Sequence, residues 1–105
     1  MCDIESIRIL CTNSTIALTK HAAMRLEERL IKLRDIKWAI MNGEIIEEYP
    51  DETPNPRVLV FGYTANGKAL HVIVGVGDWN LQIISAYHPT FERWQADYKT
   101  RKGSN

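Results

Sequence analysis

Apolar side chains recur at three- and four-residue intervals over the first 43 residues and at alternate positions after them, a change of period from helix to strand. In "DIESIRILC", Ile4, Ile7 and Cys11 fall on one helical face behind an acidic start, with Thr12-Asn13-Ser14 as the exit. "TIAL" is briefly β-like. Thr19 is placed to cap a second helix, in which Ala22, Leu26 and Leu30 form the buried stripe with Ala23 beside them. That helix ends near Leu30. Leu33, Ile36, Ala39 and Ile40 mark a third, closed by Asn42-Gly43, since glycine takes the left-handed conformation at little cost.

The alternating part reads as four strands, "EIIEEY", "RVLVFGYT", "ALHVIVGV" and "LQIISAYH". A proline-rich loop follows the first, "ANGK" carries the Asn-Gly pair of a type I′ hairpin, and "GDWN" is the next turn. The expectation is a single α+β domain over residues 1–105, with N-terminal helices packed on one face of a four-stranded antiparallel sheet and the other face free. After Pro89, "TFERWQADYKTRKGSN" is expected to make a helical turn and then to fray over about 95–105, its basic end being too polar to pack.

A two-residue turn at Asn66-Gly67 sets Gly62 opposite His71 and Phe61 opposite Val72; closing the next hairpin with Val76 and Leu81 sets His71 opposite Ala86. One sheet face then collects Leu59, Phe61, Tyr63, Leu70, Val72, Val74, Leu81, Ile83 and Tyr87 as core. The other collects Val60, Gly62, His71, Ile73, Ile84, Ala86 and His88, with His71 in a notch between two very small neighbours. His71 is therefore either a satisfied strand histidine or a group facing a ligand.

Charge changes this picture little. Lys+Arg equals Asp+Glu at 13 each, so any polyanion site must come from local clustering. The two cysteines, Cys2 and Cys11, have no CxxC spacing, which speaks for reduced thiols and a cytoplasmic protein. Apolar runs are too short for a membrane span or a secretory signal. His21, His71 and His88 lie on separate segments without ligand spacing, so neither metal nor cofactor is expected.

Local clustering does occur in "TKHAAMRLEERL", where His21, Arg25 and Arg29 share one margin of the second helix. Glu28 can pair with either arginine, which is the ordinary solvated-helix reading. The other reading is a cationic ridge for phosphate, in which guanidinium forks bind phosphate oxygens and an imidazole moves a proton near neutral pH.

"LTKHAAMRLEER", "NGEIIEEYPDETP", "ALHVIVG" and "ISAYHP" followed by "RW", in this order, resemble the signature of the domain of unknown function 4258 family, from about Ile16 to Trp94. The resemblance implies a barnase and RelE type of ribonuclease fold, a neighbouring zinc-ribbon antitoxin as partner, and motif positions at His21, Ala22, Arg25, Arg29, Gly43, Tyr49, His71, Tyr87, Pro89 and Trp94. Two departures touch the junction after the second helix: Leu30 stands where glycine is expected and Lys32 where a Ser or Thr cap is expected. Tyr87 belongs to the core by strand parity and to the site by the motif.

The expected activity is metal-independent endoribonuclease cleavage, with the ribose 2′-hydroxyl attacking its own phosphate, in a toxin of a toxin–antitoxin pair or a degenerate relative of one. His21 and His71 are the acid–base candidates and Tyr87 joins them by resemblance. Arg25 and Arg29 are the phosphate clamps, Lys68 and Arg93 contribute to RNA backbone binding, and Trp79 and Trp94 offer surfaces on which a base could stack. The rival expectation is a non-catalytic module docking a protein on the open sheet face through Val60, Ile73 and Ile84.

Overall fold

A computed structural model describes residues 3–13 and 16–102; Cys2, Ser14 and residues 103–105 of the expected tail lie outside the described residues. The elements are α1 (Ile4–Asn13), β1 (Ile16–Leu18), α2 (Lys20–Glu28), α3 (Leu33–Asn42), β2 (Glu44–Tyr49), β3 (Arg57–Tyr63), β4 (Ala69–Val76) and β5 (Leu81–Tyr87). The α+β class follows the change of period, but the sheet is five-stranded and mixed, in the order β1-β5-β4-β3-β2. The added strand lies within "TIAL", where Ile16–Leu18 pair parallel with Leu81–Ile83 of β5. Three residues are too few to show a period.

α1, α2 and α3 cover one face. Ile7, Cys11, Leu26, Ile36, Ala39 and Ile40 form one cluster with Val58, Val60, Leu70, Val72, Val74, Ile83 and Ala86 from the strands. Contact between α3 and β3 is close enough that a side chain at Gly62 would place its Cβ 2.5 Å from the Ala39 carbonyl oxygen. Glycine at this point lets the helix settle on the sheet. Among the described residues no helix is long and apolar enough to cross a membrane.

Strand pairing differs from the sequence-based register by one residue, and the turn is the reason. Gly67 takes φ +84° while Asn66 stays at negative φ, and the Thr64 amide donates to the Lys68 carbonyl at 2.8 Å. The loop thus has three residues in place of the type I′ pair. Phe61 pairs with His71 and Gly62 with Leu70. On the other side of β4, Val76 pairs with Leu81 as expected, but a bulge between Ile73 and Val74 leaves Ile84 extra and brings Tyr87 opposite His71. The expected notch does not exist: Phe61 and Tyr87 flank His71, on the face away from α3. Val60 moves to the helix face, so the three-residue docking centre of the rival module is dismantled.

The second face is not free. Residues 93–102 fold back over it as a strap, closed by the Trp94–Arg101 bridge and by the Lys102 amide donating to the Arg93 carbonyl at 2.8 Å. Asp97 turns the strap, its carboxylate accepting from the amides of Lys99 and Thr100 and from the Thr100 hydroxyl. Trp94 is buried at 2% exposure. The frayed tail expected over 95–105 is corrected for 95–102. Its cations pair with strand carboxylates, Lys99 with Glu44 and Arg101 with Glu47, while its aromatic rings pack on the sheet.

Candidate functional site

His71 lies at the centre of the strap-covered face with 0% exposure. The Trp94 ring meets it edge-on at 4.4 Å between centroids, and the Phe61 and Tyr87 rings flank it at 5.6 and 5.3 Å. Its Nε2 lies 2.8 Å from the Tyr98 carbonyl oxygen, which can only accept, so Nε2 carries the proton. Nδ1 is then the acceptor for the Tyr87 hydroxyl at 3.3 Å. Burial lowers the His71 pKa and holds the ring neutral, outweighing the Tyr98 carbonyl and the Glu47 charge, which act the other way. Tyr98 adopts φ +61°, a left-handed conformation that is uncommon outside glycine, and the histidine bond holds its carbonyl there.

A second bulge aims the carboxylate that anchors the strap. Between Ile45 and Glu47 the β2–β3 register shifts, so Ile45 opposite Val60 stays on the helix side while Glu47 opposite Leu59 faces the strap. Glu47 accepts from Arg101 through both oxygens, at 2.8 and 2.9 Å, and from the Tyr49 hydroxyl. The guanidinium, with smaller help from Tyr49, lowers the Glu47 pKa against the opposing effect of burial. Arg101 also lies over the Trp94 ring, 4.6 Å from its centroid.

Beside this anchor opens a cavity of about 370 Å³ lined by Arg29, Tyr87, His88, Thr90, Arg93, Trp94 and Arg101. Three of those seven residues carry guanidinium groups and none is acidic. Arg29 comes from the end of α2, on the opposite layer, and reaches the site because β1 covers β5 only as far as Ile83. Past that point the edge of β5 is open, and Arg29 Nη1 donates to the Ala86 carbonyl at 2.8 Å. His88 donates through Nδ1 to the Ala69 carbonyl at 2.8 Å, leaving Nε2 as the lone-pair nitrogen, without a partner among the described residues. Burial raises the Tyr87 pKa, so its hydroxyl keeps its proton at neutral pH. Such a cavity can hold a phosphate beside the Arg29 and Arg93 guanidinium groups, Arg101 keeping two of its N–H groups on Glu47, with a proton acceptor in His88 Nε2 and, once it turns from His71, a proton donor in Tyr87 on its wall.

Of the residues expected at the site, the structure brings Arg29, Tyr87 and Arg93 together, with His71 behind Tyr87. Arg25 is exposed on α2 and Lys68 at the β3–β4 hairpin, and neither lines the cavity. His21 is exposed in the first turn of α2 while His71 is enclosed under the strap, so the shared two-histidine cleft is absent. Trp94 is too deeply buried to offer a face to a base, whereas Trp79 is 84% exposed. Among the described residues no three His, Cys, Asp or Glu side chains converge as a metal-ligand group.

Residues 18–88 match the family model described as Domain of unknown function (DUF4258). The chain belongs to the DUF4258 family. The matched segment supplies Arg29, Tyr87 and His88 to the cavity, with His71 behind Tyr87, and the residues beyond it supply Thr90 and, from the strap, Arg93, Trp94 and Arg101. Comparison of this DUF4258 chain with curated proteins and with solved structures gave no match.

Sequence reasoning missed Arg101 and Thr90 and weighed His88 only as a metal ligand. A signal for the strap was present in composition: Phe91, Trp94 and Tyr98 are three large rings within eight residues, more apolar surface than a solvated tail carries.

Proposed function

We propose that this protein is an RNA-binding, metal-independent endoribonuclease of the barnase and RelE type, with its active site in the three-arginine cavity. The observation that carries the reading is the convergence of Arg29, Arg93 and Arg101 with His88 and Tyr87 around one cavity, in a chain of net charge zero. Clustering of this kind is what a phosphodiester needs, since charge building on the phosphoryl oxygens is met by donors already in place. His88 Nε2 takes the proton of the ribose 2′-hydroxyl as that oxygen attacks phosphorus. The bond to the 5′-oxygen breaks, and Tyr87, its hydroxyl turning away from the long 3.3 Å bond to His71 Nδ1, gives that oxygen its proton, leaving a 2′,3′-cyclic phosphate and a 5′-hydroxyl. His71 touches no substrate in this scheme and orients Tyr87. The resemblance adds a toxin's role, with a zinc-ribbon antitoxin as the partner that would hold the enzyme in check.

The test is cleavage of a labelled oligoribonucleotide by purified protein in EDTA, with the cyclic phosphate product read directly. His88→Ala is expected to slow cleavage on the order of 10²–10⁴-fold. Arg29→Ala is expected to weaken binding and to reduce the log–log salt slope by roughly 0.7 to 0.9, one phosphate contact. Binding without cleavage identifies a degenerate relative that keeps the RNA site. Loss of cleavage with His21→Ala and none with His88→Ala returns the acid–base role to α2. Failure of the wild type to bind RNA ends the reading.

A further inference from the structure

Next to the cavity stands an aromatic pair that the mechanism leaves unused. Phe91, in the turn between Thr90 and Arg93, stacks on Tyr98 with ring centroids 5.1 Å apart and planes 13° apart. Behind Tyr98 stands Phe61 at 6.1 Å, and beyond that Tyr63 at 5.2 Å. Phe91 is 54% exposed and Tyr63 48%, so both ends of the row present ring surface to solvent. The row is also held rigidly. Tyr98 is fixed by the bond from His71 to its carbonyl and by the Arg101 and Lys99 ion pairs of the strap that carries it, and Phe91 rests on the Tyr98 ring.

We propose that Phe91, backed by Tyr98, is the seat of an unstacked nucleobase next to the phosphate held in the three-arginine cavity, so that the site takes single-stranded RNA and discriminates against duplex. The inference rests on the reading of the cavity as an RNA backbone site. Its physical basis is that every base has a π-face, so an exposed ring beside a phosphate site binds single strands with little regard to sequence. Duplex bases are stacked on each other and expose only their edges. Thr90 and Arg93 both line the cavity and bracket Phe91 in sequence, which places the backbone that carries the ring at the cavity's edge.

The experiment is fluorescence anisotropy with a short oligoribonucleotide carrying 2′-O-methyl groups, which block cleavage. It is compared with the same strand bearing abasic positions and with a duplex of equal length. Wild type is expected to bind the intact strand roughly 5- to 150-fold more tightly than the abasic one, the range for stacking one base on an aromatic ring. Phe91→Ala is expected to remove that difference while leaving abasic binding unchanged, and Phe91→Trp to restore it. Circular dichroism checks that both variants stay folded. Equal binding of intact and abasic strands by wild type overturns the platform and leaves the phosphate site standing. So does an equal loss of both with Phe91→Ala. No binding of any of the three ligands overturns the cavity reading and the platform with it.

Discussion

His71 shows how one side chain can link sheet, strap and site. Both of its ring nitrogens are engaged, one with the carbonyl of a strained Tyr98 and one with the Tyr87 hydroxyl. The unfolded chain binds a proton at this residue near pH 6.5, whereas the buried ring resists it. The unfolded state therefore holds more protons below that pH, so the stability contribution is complete above pH 6.5 and is lost as the pH falls beneath it. The urea midpoint of the wild type is expected to drop between about pH 7.5 and about pH 5.5, and to drop less in His71→Phe. Glu47, already held below the ordinary carboxylate value, does not titrate in that window. At neutral pH the variant is expected to lose about 1–3 kcal/mol, since the Tyr98 carbonyl and the Tyr87 hydroxyl lose their partner. Identical pH dependence in the two proteins would remove His71 as the titrating group.

At the scale of elements, α2 starts well and ends under strain. Thr19 accepts from the Ala22 amide at 3.0 Å, as the sequence predicts. At its other end the Leu30 amide donates to the Glu27 carbonyl and the Ile31 amide to the Leu26 carbonyl, a Schellman arrangement with Leu30 at φ +57°. Glycine normally occupies that position because it has no Cβ to clash. Leu30 gains nothing in return, being 87% exposed, and Lys32 provides no side-chain cap for α3. Leu30→Gly is expected to stabilise the protein by about 1 kcal/mol, the left-handed penalty less the added entropy of the unfolded glycine. Chemical denaturation measures it, and a destabilised variant would show that the exposed leucine side chain contributes something the structure does not reveal.

For the whole molecule, the decisive object is the strap, because it closes the second face and supplies Arg93, Trp94 and Arg101 to the cavity. Trp94 is its main anchor, buried against His71 and under Arg101. Trp94→Ala is expected to cost about 3–5 kcal/mol. Limited proteolysis should then cut within residues 95–102, and RNA binding should weaken because Arg93 and Arg101 lose their placement. If the variant resisted proteolysis as well as wild type, the strap would be held by its ion pairs instead. Those pairs are part-exposed and the Arg101–Glu47 pair is worth about 1 kcal/mol, so they anchor the strap less strongly than the buried tryptophan does.

Periodicity and turn chemistry determined the three helices, the four long strands, the Thr19 cap and the α+β class, because each depends on residues within one or two turns of one another. The candidate site was legible only in part: of the residues marked in the sequence, Arg29, Arg93 and Tyr87 line the cavity, while His21, Arg25 and Lys68 do not. What only the tertiary structure decided was register. One extra loop residue at Gly67 and one bulged residue at Ile84 are invisible to a period-two pattern, yet each slip turns a strand's side chains to the other face. His71 thereby left an imagined open notch for a closed aromatic box. The strap was misread for a related reason. Composition sees charges one at a time, whereas Lys99 and Arg101 find Glu44 and Glu47 on a strand about fifty residues away, one of them aimed by a bulge, and no local rule couples positions that far apart.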